Sequence, residues 1–255
     1  MFEFMIEREN LELGVANTSV AIIKGVRIPS ERPPAVDTFC QTALERAISF
    51  TDEELRQSHV PEGYRQIYRS LGYQDGVIKP AGLSLVEMIR KRGRYPRISI
   101  PVDLYNTVAV ETLLGIGAHD GSKIAGPVVF SRAKGNERFT PLGRTSPVAV
   151  RPGDFFYRDE EKVLARLAAQ DCDEAKLSPT TQQIVLVIEG HRGMSFDYVR
   201  SAIEKACDLI VQFCGGEFQI TDPTTVGASP FEQEAAMENF RNQLGTSHSS
   251  VKGNA

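Results

Sequence analysis

A chain of 255 residues, 41% of them hydrophobic and 24% charged, carries enough apolar content to bury a core, which excludes a disordered or fibrous class. A net charge of −4 excludes a protein that coats long stretches of nucleic acid, because neutralising phosphates takes many Lys and Arg; a local contact stays open. Apolar runs such as Ile184 to Ile188 are too short to cross a bilayer. The acidic residues among Met1 to Asn10 do not suit a signal peptide, and Cys40, Cys172, Cys207 and Cys214 show no CxxC spacing, so the expectation is a cytoplasmic protein with reduced thiols and no membrane partner.

In chain order, the β-branched cluster from Val15 to Val26 predicts a strand, broken by Pro29, Pro33 and Pro34. Val36, Phe39, Cys40, Ala43, Leu44, Ala47 and Ile48 recur at helical spacing, and shorter helices are expected over Gly63 to Leu71 and Leu83 to Arg92. Tyr64 and Tyr68, four apart, fall on one side and read as core. Pro101 to Leu114 predicts a helix with Asp103 and Asn106 close together on it. The glycines at 115, 117 and 121 are expected to end it and open a flexible turn. Strands follow at Pro127 to Arg132, Asp154 to Tyr157 and Ile184 to Glu189.

Ser195 caps a long helix that stops at Gly215 and Gly216, and its Cys207 and Cys214, seven apart, share a face with Ile203 and Ile210, a core-packing pattern. A short strand and a helix near Phe231 to Leu244 complete a single domain over residues 1–244. The polar residues 245–255 form a disordered tail. Strands and helices mix without regular alternation. The expected class is α+β, a mixed sheet packed by helices.

Among chemical motifs, GxGxxG, a phosphate-loop lysine and HExxH are absent, and four scattered histidines suggest no metal site and no cofactor. The concentrated basic run is Arg90, Lys91, Arg92, Arg94 and Arg97, with Tyr95 inside it. It reads either as a phosphate-holding patch with an aromatic platform or as a solvated helix end.

A resemblance carries the reading further. Ile100-Pro101-Val102-Asp103-Leu104-Tyr105-Asn106, Gly117-Ala118-His119-Asp120, Lys123-Ile124-Ala125-Gly126-Pro127-Val128-Val129, Arg132-Ala133-Lys134-Gly135-Asn136-Glu137 and Thr140-Pro141-Leu142-Gly143 occur in an order that resembles the editing and tRNA-binding domain of the phenylalanyl-tRNA synthetase beta subunit, in its free-standing form, over roughly Tyr64 to Gly216. The resemblance implies a partner, the aminoacylated 3′ end of a tRNA rather than DNA, and an activity, hydrolysis of a mischarged aminoacyl ester such as tyrosine on phenylalanine tRNA. A non-catalytic binding module and an aminoacyl transferase are the alternatives.

Carried over, Asn106 matches a pocket asparagine, and Glu189 lies on the strand where the family uses a glutamate to recognise the tyrosine hydroxyl. Gly117 stands where the family carries a pocket histidine. The implied catalytic set is Asn106, His119 and Asp120, with Glu189, Asp103 and Gly117 on the substrate side and the basic run on the tRNA backbone. His119 reads as a base or ribose ligand, or as a turn histidine bonded at the surface. Asp103 and Asn106 orient a water, or brace the turn at Gly115. For Arg132 and Arg144 a structural ion pair is expected, with Glu189 a candidate partner. Where the free-standing relatives often carry a Trp- and Arg-rich stretch, this chain has Arg166-Leu167-Ala168-Ala169-Gln170-Asp171.

Overall fold

A computed structural model describes residues 2–226; the expected helix near Phe231 to Leu244 and the expected tail lie outside them. The chain opens with strand β1 (Phe4–Glu7), helix α1 (Arg8–Leu13) and strand β2 (Ser19–Lys24). Helices α2 (Pro34–Ser49), α3 (Asp52–Gln57), α4 (His59–Ser70), α5 (Ala81–Arg92) and α6 (Ile100–Thr112) follow. Then come strands β3 (Ile116–Asp120), β4 (Val128–Arg132), β5 (Arg138–Phe139), β6 (Val148–Ala149), β7 (Phe155–Arg158), β8 (Val163–Arg166), β9 (Gln170–Asp171) and β10 (Gln183–Ile188). Helix α7 (Phe196–Cys214) and strands β11 (Glu217–Thr221) and β12 (Thr224–Val226) end the described part.

Local chemistry sets the helix starts. Pro34 and Pro101 occupy first-turn positions, where a missing N–H costs nothing. Thr51 and Glu54 close a reciprocal capping box on α3. The Ser195 hydroxyl accepts from the Tyr198 N–H at 3.1 Å and caps α7 as the sequence predicts.

Two sheets result, with a small β5–β6 pair beside them. One runs β12-β1-β4-β7-β8-β9 and the other β11-β2-β10-β3. β1 pairs parallel with β4 and β12 in an otherwise antiparallel first sheet, while the pairings of the second sheet are antiparallel, so the class is α+β with one mixed and one antiparallel sheet. Alternation along β10 sorts its side chains. Ile184, Leu186 and Ile188 join the core formed with α2 and α4 to α7, while Val185 and Val187 join Phe130, Phe156 and Tyr157 of the other sheet. Buried on both faces, β10 reads as an unbroken apolar run, and each such side chain adds about 1.5–3 kcal/mol by leaving water.

One expectation is overturned here. The Gly117-Ala118-His119-Asp120 segment is not a flexible turn but the buried strand β3, paired antiparallel to β10 with Gly117 opposite Val187 and His119 opposite Val185. Leu113, in the left-handed region at φ 62°, ends α6 before the glycines do. Satisfying the backbone of a fully buried segment favours pairing it in a sheet over leaving it as a loop. All four cysteines are free and buried, and among the described residues no helix is long and apolar enough to cross a membrane.

Candidate functional site

The β8–β9 connection turns through Leu167 and Ala168, both at positive φ (59° and 47°), a strained conformation for residues with a β-carbon. The surroundings hold it. The Tyr68 hydroxyl donates to the Leu167 carbonyl at 2.7 Å, and the Ala81 N–H donates to the Ala168 carbonyl at 2.9 Å. Gly115 lets that turn approach, since a β-carbon there would meet the Ala168 carbonyl oxygen at 2.6 Å. The Tyr64 hydroxyl pins the Glu189 carbonyl at 2.6 Å from the other side. The tyrosine pair read as core is thus also the brace of this corner.

A cavity of about 510 Å³ opens at that corner, walled by α6, β3, β9 and the end of β10. Asn106, Gly117 and Glu189 line it, as do Ser99, Tyr157 and Asp171. Asp171 was not singled out by sequence. It ends the stretch Arg166-Leu167-Ala168-Ala169-Gln170-Asp171, and a short polar strand gives no periodic signal of its own.

Asp171 and Glu189 are two acids in one apolar enclosure. Burial pushes the Asp171 carboxyl up to about 7, against the Ala118 N–H, which favours its charged form. Burial first, and then the Asp171 charge, pushes Glu189 up to about 8, against the Ala168 N–H. Glu189 Oε1 is buried without a hydrogen-bond partner among the described residues. Lys176 also lines the cavity, but its Nζ lies 2.8 Å from Asp173, so its charge is committed there. Cys172 is held as a thiol by burial, at about 11, and so offers no thiolate at neutral pH.

The remaining predicted residues lie off the cavity wall. His119 is fully buried between the sheets, not a surface histidine, and its Nε2 shares a 2.7 Å hydrogen bond with the Tyr157 hydroxyl. It reaches the cavity only through that tyrosine. Burial lowers its pKa to about 3, so the ring is neutral. Asp120 accepts from the Ser122 N–H at 3.0 Å and the Thr181 hydroxyl at 2.7 Å, anchoring the 3₁₀ turn that follows β3. Asp103, with no exposed surface, binds Arg32 at 2.6 Å and the Ile98 N–H at 2.9 Å, which anchors the entry to α6 rather than the turn at Gly115. Arg132 donates to the Gly153 carbonyl at 3.0 Å and does not reach Glu189.

The basic run divides. Arg90 pairs with Asp52 at 2.7 Å and Arg97 with Asp37 at 2.6 Å, whereas Lys91, Arg92 and Arg94 are exposed and make no ion pair with a described residue. The segment leads straight into Ile98 and Ser99 on the cavity wall.

Residues 64–215 match the family described as B3/4 domain, more than half of the chain and all of the cavity apart from Ile28. The chain belongs to the B3/4 domain family. It is 26% identical over 192 residues to a phenylalanine–tRNA ligase beta subunit of Pasteurella multocida; the B3/4 chain is covered to 66% and spans 24% of that subunit's length. An N-terminal fragment of the phenylalanyl-tRNA synthetase beta subunit from Pyrococcus horikoshii aligns with TM-score 0.48 at 12% identity, over 89% of this B3/4 chain and 53% of the fragment.

Proposed function

We propose that the chain hydrolyses a mischarged aminoacyl-tRNA, taking the aminoacyl end of the tRNA into the cavity between Asn106, Asp171 and Glu189. The observation that carries this reading is the cavity itself, in a B3/4 domain and lined by two carboxyls of raised pKa and an amide. A site of that kind suits an ester that is already labile, where orienting water and carbonyl supplies most of the acceleration.

In the proposed step a water oxygen bonds to the ester carbonyl carbon, the bond to the ribose oxygen breaks, and a proton of the attacking water passes through a second water to that oxygen, leaving free amino acid and tRNA. Asp171 and Glu189 hold the aminoacyl moiety in place for that attack. Asn106, on the α6 wall, orients the carbonyl or the water. Lys91, Arg92 and Arg94, next to the rim, hold the last phosphates.

The test is release of free amino acid from a panel of correctly and wrongly charged tRNAs by catalytic amounts of the full chain. Turnover of at least one mischarged species, lowered for every substrate by Asn106→Ala, is expected. No release from any member of the panel rejects hydrolysis. Tight binding without release leaves a binding module, and release only with an added amine acceptor indicates transfer.

A further inference from the structure

We propose that Asp171 and Glu189 together receive the ammonium group of the bound aminoacyl moiety, so that the cavity selects its ligand by a cationic amine and not by a phenolic hydroxyl. The inference rests on reading the cavity as an aminoacyl pocket, and it names the chemistry that pocket accepts.

Three observations carry it. Glu189 is 97% buried by its 3% exposure, and its Oε1 has no described partner, an unfilled acceptor at the cavity wall. Asp171 adds a second carboxylate from β9 of the other sheet, seated above Gly117 in space that any side chain at 117 would claim. The cation on the wall, Lys176, is bound to Asp173, so the two acids face the cavity without a counter-charge among the described residues.

A phenol answers such a pair poorly. It donates one hydrogen bond and brings no charge, so the repulsion between two ionised acids stays, or one acid keeps its proton. An ammonium offers three donors and a positive charge that offsets both acids at once in a site of low dielectric. Burial raises the proton affinities of Asp171 and Glu189, so near neutral pH a bound ammonium competes with protons for the two acids. Ligand binding should therefore expel protons.

The amine can be the α-ammonium, common to every aminoacyl ester, or a basic side chain, and the probes separate these. The full chain is titrated calorimetrically near neutral pH with 3′-lysylamino-3′-deoxyadenosine, a non-hydrolysable amide. The series adds its Nα-acetyl derivative, the norleucyl counterpart, the Nα-acetyl-norleucyl compound that lacks both amines, and Nα-acetyl-tyrosyl, which keeps only the phenol. Two buffers of different ionisation enthalpy give the proton count. Expected are release of about one proton per ligand and affinity at least about tenfold higher for amine-bearing probes than for the amine-free and phenol-only ones. Both effects should fade in Asp171→Asn, which keeps an acceptor for the Ala118 N–H, and in Glu189→Gln. Whichever single amine removal abolishes binding identifies the source.

Equal binding of the amine-free probe, no proton release, or no binding of any probe overturns the proposal, and the wild-type proton count decides even if a variant fails to fold. Parallel assay of charged tRNA keeps the two readings apart. Amine-selective binding without ester hydrolysis sinks only the deacylase, and hydrolysis with amine-indifferent binding sinks only the ammonium site.

Discussion

Asp171 Oδ1 stands 2.7 Å from the point that a β-carbon on Gly117 would occupy, so the glycine and the carboxylate fit only as a pair. Gly117→Ala should push the carboxylate aside, destabilise the fold by about 1–3 kcal/mol and lower turnover. Gly117→Ala combined with Asp171→Ala should recover most of that stability, because the clash is gone. Denaturant unfolding of the two single variants and the double variant yields the coupling. Additive losses would mean that the contact does not govern residue 117.

Stability should fall as pH rises through the range in which the two cavity acids titrate. Asp171 and Glu189 have folded pKa values of about 7 and about 8, above their ordinary 3.8 and 4.5, so the folded state holds more protons than the unfolded one. Their contribution is complete below about pH 4 and is lost as pH climbs through 7 and 8. His119 acts oppositely: its folded pKa of about 3 lies below 6.5, so its contribution is present above 6.5 and lost as pH falls toward 3. Thermal melting across pH should show decline on both sides, and Asp171→Asn with Glu189→Gln should flatten only the alkaline limb. An unchanged alkaline limb would contradict the assignment.

How far the sequence reveals this site depends on where each side chain gets its partner. Asn106 sits on a helix with clear periodicity, Glu189 directly follows the apolar run of β10 rather than ending the strand, and both reach the cavity. The three glycines look like turn residues, yet Gly115 and Gly117 are there for close approach, to the Ala168 carbonyl and the Asp171 carboxylate. Such approaches come from chain more than fifty positions away, and no local window contains them. Asp171 stayed hidden for the same reason. His119 and Asp103 stand out as polar residues near a motif, and their partners Tyr157 and Arg32, far off in sequence, hold them off the cavity wall.

The Arg32–Asp103 pair should therefore matter to folding and not directly to chemistry. Asp103 has no exposed surface and also accepts from the Ile98 N–H, so Asp103→Ala strands that backbone donor while Arg32 keeps Asp37 as its partner. A loss of about 1–3 kcal/mol is expected, read as a lower midpoint in denaturant. Any ester hydrolysis by the protein that remains folded should keep its amino-acid preference. A changed preference at unchanged stability would return Asp103 to the substrate side.

The basic segment offers a last check, because its five cations are not equivalent. Arg90 and Arg97 already face Asp52 and Asp37, so part of their charge is compensated within the protein. Lys91, Arg92 and Arg94 are exposed without a described ion-pair partner, on the stretch that runs into Ile98 and Ser99 at the cavity. If they hold phosphates, each contact releases condensed counterions, and affinity for tRNA falls linearly with the logarithm of salt concentration. Arg92→Ala with Arg94→Ala should weaken binding of every tRNA alike and reduce the slope by about 1–2, leaving the amino-acid preference set by the cavity. Arg97→Ala should change the slope less, since its charge is already matched by Asp37, which keeps Arg32 as a partner. Equal salt slopes for wild type and the Arg92/Arg94 variant would make this run an ordinary solvated surface and move the tRNA backbone to another face.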